Sequence, residues 1–313
     1  MTRYILKRLV GMLIVMFIVL TTVFVIVRIA PGDPAAMMLG PEATPADVAA
    51  LQERLGLDQP IPVQYLTFMI GVVQGNFGES IFFDRPVLEV IAARAEPTIF
   101  LTLMSIIVAV AIALPIGVAS AYTRGTLFDQ GSLSTAMLVA SIPSFWLGLL
   151  FQQHFATGAG WFPVSGYGGP DAGFFERMRH LVLPAVVLGL VNSAIIIRFS
   201  RASMLDVLSD DYVRTARAKG MSEWRVVLRH AFKNALIPIV TVVGLTFALL
   251  ISGAVVTERV FNLPGVGSLV VGAVLRRDYP LIQGTLIVVT GLYVLINFAI
   301  DMIYLAIDPR VKY

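Results

Sequence analysis

The residues with the clearest capacity for specific chemistry lie in one segment, SDDYVRTARAKGMSEWRVVLRHAFKNALIP, residues 209–238. Ser209, Asp210 and Asp211 predict a capped helix start whose acidic first turn suits the helix dipole. Small residues follow at Thr215, Ala216 and Ala218, and Gly220 breaks the helix. Ser222 then predicts the cap of a second short helix with Trp224, Val227, Leu228 and Ala231 on one side. Arg225, Arg229 and Lys233 step along it at helical spacing. Small residues at a helix–glycine corner let another backbone approach closely. The chemistry is therefore recognition, not bond making. Two readings fit: a docking element for a cytoplasmic protein, or a basic helix held by anionic lipid headgroups. A bare connection would need only a few polar residues.

Other chemistries are excluded by what is missing. The chain has no cysteine, so disulfides, thiolate metal sites and cysteine nucleophiles are impossible. Its histidines (His154, His180, His230) are scattered, and His154 and His180 read as two unrelated surface residues, not a metal pair. Lys7, Lys219, Lys233 and Lys312 are never preceded by glycine, so there is no P-loop for ATP phosphates. Polar residues inside apolar stretches mark solute pathways or helix–helix contacts. Asn192, Ser193 and Asn297 are the substrate-path candidates, with Ser141, Ser144 and Gln152 behind them; for the serines, helix–helix contact is the simpler reading. Asp301 suits a helix-end role with Arg310 or a neighbour, Gly265 and Gly267 read as turn formers, and the methionines show no clustered run and read as packing.

The elements that position these residues follow from the composition. Hydrophobic residues make up 57% of the 313 and charged residues 14%, and mean hydropathy is +0.83. Soluble domains carry about a quarter charged residues, so an ordinary soluble enzyme is excluded, as is a disordered chain. Uncharged stretches run over 9–27, 97–123, 130–153, 181–197, 234–257 and 279–300. The first, nineteen residues long, makes about 28 Å of helix, close to the thickness of the hydrocarbon layer. The reading is an all-α membrane protein with six transmembrane helices. The first stretch is too long for a signal-peptide core and no A-x-A site follows it, so it reads as a retained helix.

Lys and Arg set the orientation. Residues 198–233 carry eight basic residues, whereas 29–96 carry Arg54, Arg85 and Arg94 against nine carboxylates. This places the N and C termini, the 124–129 turn and the 198–233 loop in the cytoplasm, with Arg259, Arg276 and Arg277 of the 258–278 loop dissenting. The expected organisation is 1–28 as N-terminus and first span, 29–96 as an extracytoplasmic helical cap, and 97–313 as a five-span core holding the inner segment 205–233. In the cap, Thr44-Pro45-Ala46-Asp47 predicts a helix start, Val48, Leu51 and Leu55 one face, and Gly56 its end. PVQYLTFMIGVVQG (62–75) predicts a second apolar helix too short to span comfortably.

DYVRTARAKG with RHAFKNALIP resembles the coupling loop of ABC importer permeases of the dipeptide, oligopeptide and nickel group. In that loop's general pattern, E-A-A-x3-G-x9-I-x-L-P, Gly220 aligns and the E-A-A positions fall on Arg214, Thr215 and Ala216. The chain departs from the pattern at Arg214, at His230, Phe232 and Lys233 in the I-x-L-P positions, and by a late Pro238. RIAPGDPA (28–35), TERVFNLPGVGSL (257–269), RRDYPLIQG (276–284) and DMIYLAIDPRVKY (301–313) extend the resemblance along the chain. The resemblance implies a type I ABC importer permease-like bundle in a bacterial inner membrane. It implies ATPase coupling through Arg214, Thr215, Ala216, Ala218, Gly220 and Ser222. The implied partners are a second homologous permease, one or two ABC ATPases that bind ATP and Mg, an extracytoplasmic substrate-binding protein and membrane lipid, with no nucleic acid. No cofactor is expected in this chain, which would be a non-catalytic subunit importing di- or oligopeptides, glutathione, nickel chelates or sugars.

The alternative is a self-sufficient secondary transporter or channel for a small solute. A secondary transporter predicts an internal repeat and a charged pair in mid-membrane, and the uncharged stretches supply neither. A membrane-embedded protease would need Ser and His together deep in spans. A channel would not need the paired inner helices.

Overall fold

The computed structural model describes residues 2–29, 34–40, 43–54 and 56–307. Its helices are α1 (Thr2–Ile29), α2 (Pro34–Leu39), α3 (Pro45–Arg54), α4 (Ile61–Val73), α5 (Val87–Tyr122), α6 (Leu127–Ser141), α7 (Ser144–Phe151), α8 (Phe174–Leu208), α9 (Asp211–Ala218), α10 (Glu223–Arg225), α11 (Phe232–Val260), α12 (Val266–Arg276) and α13 (Tyr279–Ile307). Two π-helical turns, Gln152–Gly158 and Val226–Ala231, extend α7 and join α10 to α11. A small antiparallel ladder pairs β1 (Glu79–Ser80) with β2 (Arg85–Pro86). Among the described residues, five helical stretches are long and apolar enough to cross a membrane: Ile5–Ile29, Val87–Tyr122, Phe174–Leu208, Glu223–Val260 and Tyr279–Met302.

The sixth expected span, 130–153, is not one straight helix. It is α6 followed by α7 and its π-turn, bent by 96°. Pro143 has no N–H to donate and holds the residue before it out of helical geometry. Ile142 accordingly takes extended backbone, with φ −81° and ψ 127°. Counted as one broken span, the pair brings the total to six. Pro184 and Pro238, by contrast, lie inside α8 and α11.

The chain forms two compact units, residues 1–96 with 268–295, and residues 97–267 with 296–313. In the first, α4 packs on the second half of α1. Phe24 meets Tyr65 edge-on and Phe68 at a tilt, and the Tyr65 hydroxyl bonds Thr21 at 2.7 Å. Arg28 lies over the Phe24 ring and donates twice to Gln64 Oε1. The helix start expected at Thr44 is a reciprocal cap. The Asp47 N–H donates to Thr44 Oγ1 at 3.3 Å, and the Thr44 N–H and hydroxyl donate to Asp47 Oδ2. Those two bonds hold the Asp47 carboxyl below its ordinary pKa. Gly56 has φ +63° just beyond α3; Leu55 lies outside the described residues, as do residues 30–33 and Arg310.

The second unit is built around α8, 61% of whose apolar window is buried, against 28% for α5. It runs parallel to α5, and glycines set how closely the two approach. A methyl group on Gly117 would lie 2.7 Å from Ser200 Cβ, and one on Gly189 would lie 2.8 Å from the Ser105 carbonyl oxygen. Small residues matter here because lipid tails supply no hydrophobic drive for helix pairing, leaving van der Waals contact to do it. Ala109, Ala113, Ala136 and Ala194 continue the seam among α5, α6 and α8. α11 packs along the rest of α8.

Gly189→Leu should therefore force α5 from α8 and cost about 1–3 kcal/mol, read as a lower melting temperature of the detergent-purified chain. Gly131→Ala in α6, where an added methyl meets nothing within 4 Å, serves as the control and should change stability by no more than about 1 kcal/mol.

Candidate functional site

The 205–233 segment starts where α8 ends. Ser209 closes that end by bonding the Asp206 carbonyl. Asp210 then takes the extended cap conformation, but neither it nor Ser222 makes a side-chain capping bond. Asp211 supplies the acidic first turn of α9, where it favours the dipole. Val213 and Ala216, three residues apart, point inward and pack with Val226, beside Leu208 and Met221. Arg214, Thr215 and Ala218 are exposed on the opposite side. Gly220 turns the chain with φ +77°, and a methyl group there would meet no atom within 4 Å. The corner is open.

The second helix differs from the expectation of a short separate piece. From Glu223 it runs through the Val226–Ala231 π-turn into α11, one continuous 38-residue stretch to Val260. No glycine or proline interrupts it before Pro238, so nothing stops the helix. α9 is fastened to this stretch at both ends. Asn234 Nδ2 donates to the Tyr212 hydroxyl at 2.7 Å, and that hydroxyl donates to the His230 carbonyl at 3.4 Å. Across the corner, Arg217 forks onto Glu223 at 3.0 and 3.4 Å. Beside α10 lies an apolar groove of about 680 Å³, bordered by Leu114, Val118, Tyr122, Trp224 and Leu228.

Of the six residues expected to couple, Arg214, Thr215, Ala218, Gly220 and Ser222 are exposed together around one corner, while Ala216 is buried and seats the helix. The substrate-path candidates are not gathered in this way. Asn192 and Ser193 bond the carbonyls of Leu188 and Leu190 on their own helix. Ser141 does the same with Met137, Gln152 reaches the Val164 carbonyl, and Asn297 is half-buried on α13. His154 and His180 each bond a nearby carbonyl, of Leu150 and Gly166. Among the described residues, no group of three or more His, Asp or Glu could hold a metal ion.

Residues 113–313 match the family of binding-protein-dependent transport system inner membrane components, and residues 1–102 match that family's N-terminal region. The chain belongs to this family of ABC importer permeases. Its relatives include the "Probable peptide ABC transporter permease protein y4tP" of Sinorhizobium fredii, 45% identical over 99% of both chains. The "Glutathione transport system permease protein GsiC" is 43% identical in Salmonella choleraesuis and 42% in Escherichia coli, over 100% of each chain. Among solved structures, a chain of the MetNI methionine ABC transporter, in inward-facing conformations, aligns with a TM-score of 0.60 at 19% identity. The alignment covers 70% of this chain and 96% of that one, and it establishes a shared fold. The chain is thus a multi-pass permease subunit of the inner membrane with an all-α, type I importer fold.

Two of the buried carboxylates, Asp129 and Glu258, escape a reading based on charge-free stretches, because each serves there only as the border of one, 130–153 and 234–257. The helices run past those borders. Asp129 lies in α6 and Arg201 in α8, where they form a forked ion pair. The only local signal was Thr126-x-x-Asp129, a capping pattern that says nothing about a partner 72 residues away. Glu258 in α11 is fully buried. The Thr98 hydroxyl donates to its Oε1 at 2.5 Å and accepts from the Val266 N–H at 2.9 Å, binding the start of α12 to α5. Gly265 sits at a bend and Gly267 inside α12, neither with a positive φ, and both are needed for this contact: a methyl on Gly265 would strike the Glu258 carboxylate. Gly265→Ala should thus destabilise the permease by about 1–3 kcal/mol through overpacking. Thermal unfolding in detergent measures this, and Gly272→Ala, which meets open space, should change it far less.

Proposed function

We propose that this permease forms half of a translocation pathway for di- or oligopeptides and takes its power through the 205–233 segment. The observation that carries the reading is the two-sided character of α9: an apolar side seated on Val226 of the π-turn that leads into α11, beside Leu208 of α8, and an exposed side of small and basic residues beside an open glycine corner. A helix anchored on one face and free on the other can receive a partner and pass on its displacement as a rigid body. The chain's lack of a P-loop supports ATP and Mg being held by ABC ATPase subunits, one or two of them, docked at Arg214, Thr215, Ala218, Gly220 and Ser222. The excess of Lys and Arg over 198–233 supports a cytoplasmic position for this segment and for both termini.

Closure of the ATPases would displace α9, and α8 and α11 would move with it. Rigid rocking of helices around a central path is sufficient for alternating access. A second homologous permease would complete the pathway, and an extracytoplasmic binding protein would deliver cargo on the side of the 29–96 cap. Lipid would cover the remaining apolar surface, such as Leu13 and Ile18 of α1. The relatives named for peptide and glutathione transport support a peptide cargo, glutathione being itself a tripeptide. Asn192, Ser193 and Asn297 remain the proposed contacts along the path; Asn192 and Ser193 would exchange their present bonds to backbone carbonyls for bonds to cargo.

The test is co-purification from mild detergent with the tagged chain. Wild type should bring down a second permease and P-loop ATPases. Gly220→Trp should release the ATPases and keep the other permease, because its Cβ projects into the open corner with no atom within 4 Å; Gly220→Ala, which shares the strain of a side chain at φ +77°, serves as the control and should release them far less. A chain that purifies alone and transports without ATPases would overturn the reading in favour of a secondary transporter or channel.

A further inference from the structure

The coupling segment can push α8 and α11, and these touch the bent helix pair through apolar contacts, but packing alone does not fix how α6 moves with α8. Asp129, 2% exposed, answers this. Its Oδ1 accepts from the Ser120 hydroxyl at 2.5 Å and from Arg201 Nε at 2.6 Å. Its Oδ2 accepts from the Gly125 N–H at 2.9 Å and from Arg201 Nη2 at 2.7 Å. Ser132 buttresses Ser120 from the next turn of α6. All four acceptor positions of the carboxylate are used, and they come from the end of α5, the turn after it and α8. Arg201 stands seven residues before the end of α8, about 10 Å along its axis from the point where α9 begins to form. On the other side, Asp129 is in the first turn of α6, which runs to the break at Ile142–Pro143.

We infer that the Asp129–Arg201 pair is a positioning strut that carries displacement of α9 through the end of α8 into α6, and so into the bent span. A fork of two parallel bonds fixes both the distance and the orientation of the helices it joins. A buried ion pair is a poor source of stability compared with apolar packing, so geometry is what it contributes. Apolar contacts already hold the same region together. Met204 packs with Ala121, Val227, Ala231 and Ala235, and Ala136 with Ala194 and Ile197. Those contacts can slide; the fork cannot. The strut rests on the proposed docking of ATPases at α9, and neither side chain touches that docking surface.

The test uses the complete transporter in proteoliposomes with its binding protein and a peptide, and reads three quantities: ATPases co-purified, ATP hydrolysed and peptide taken up. The double variant Asp129→Asn/Arg201→Met leaves no stranded charge and keeps the volume. It should assemble and hydrolyse ATP within about twofold of wild type while uptake per ATP falls about tenfold, the size expected of a broken coupling contact. Arg201→Lys keeps the charge without the fork and should show a smaller loss of uptake per ATP, with assembly intact. If uptake and hydrolysis fall together in proportion to assembled complex in both variants, the pair is structural only and the strut is overturned. Unchanged uptake per ATP in both overturns it as well. If the double variant does not assemble, Arg201→Lys decides by the same ratio. A wild-type chain that captures no ATPase overturns the docking reading first, a result these variants cannot produce.

Discussion

The packing of α8 is the constraint on which the second unit depends. This helix is the most buried of the long helices, and α5, α6 and α11 all lie against it. In lipid no hydrophobic drive pushes helices together, so the closeness of backbones decides how much contact energy they gain. Gly117 and Gly189 permit that closeness at two points about three turns apart on either helix. With the separation of α5 and α8 set there, the alanine seam beside them can fill, and the charged groups at the helix ends come within hydrogen-bonding reach of one another.

Those charged groups are the costly part of the design. Glu258 and Asp129 are both buried, and burial is offset by the hydrogen bonds each accepts, at Oε1 of Glu258 and at both oxygens of Asp129. Each ties elements far apart in the chain: Glu258 with Thr98 across 160 residues, Asp129 with Arg201 across 72. The interior of the bundle is apolar and held by shape, whereas its ends are polar and held by direction. Shape allows helices to slide and tilt, and directional bonds specify which helices must move together. An importer permease needs both properties, since a bundle that could not shift would not transport and one without directional links would not be driven.

The family follows from the whole chain, while the working parts follow from local features. α9 is short and carries little stability of its own. It is ordered because Val213 and Ala216 find a buried seat and Tyr212 finds Asn234 and His230. Its outward side is left without partners of this kind, which is what separates a docking helix from a connecting turn. Arg214, where the general coupling pattern has a glutamate, sits on that free side. Its guanidinium meets Asp211 only at 3.5 Å, an exposed contact worth little.

Charge-free length alone locates the membrane helices, because a charge inside lipid is expensive. Local chemistry located the Thr44–Asp47 cap, the breaks at Gly56 and Gly220, and the apolar helix α4, because each depends on residues within a few positions of one another. The bend at Ile142–Pro143 was legible as a proline but not as a 96° turn, since a proline inside α8 or α11 leaves the helix unbroken. Ala216 and Ala218 looked alike in sequence, and only the seat under α9 separates the buried one from the exposed one. The same holds for the glycines after Pro264, whose role is visible only once Glu258 lies against them. The sequence by itself determined what is local or governed by the solvent: membrane residence, span positions, caps and corners. The tertiary structure alone decided which charges pair and which helices they bind together, because those partners are brought into range only when α5, α6, α8 and α11 pack.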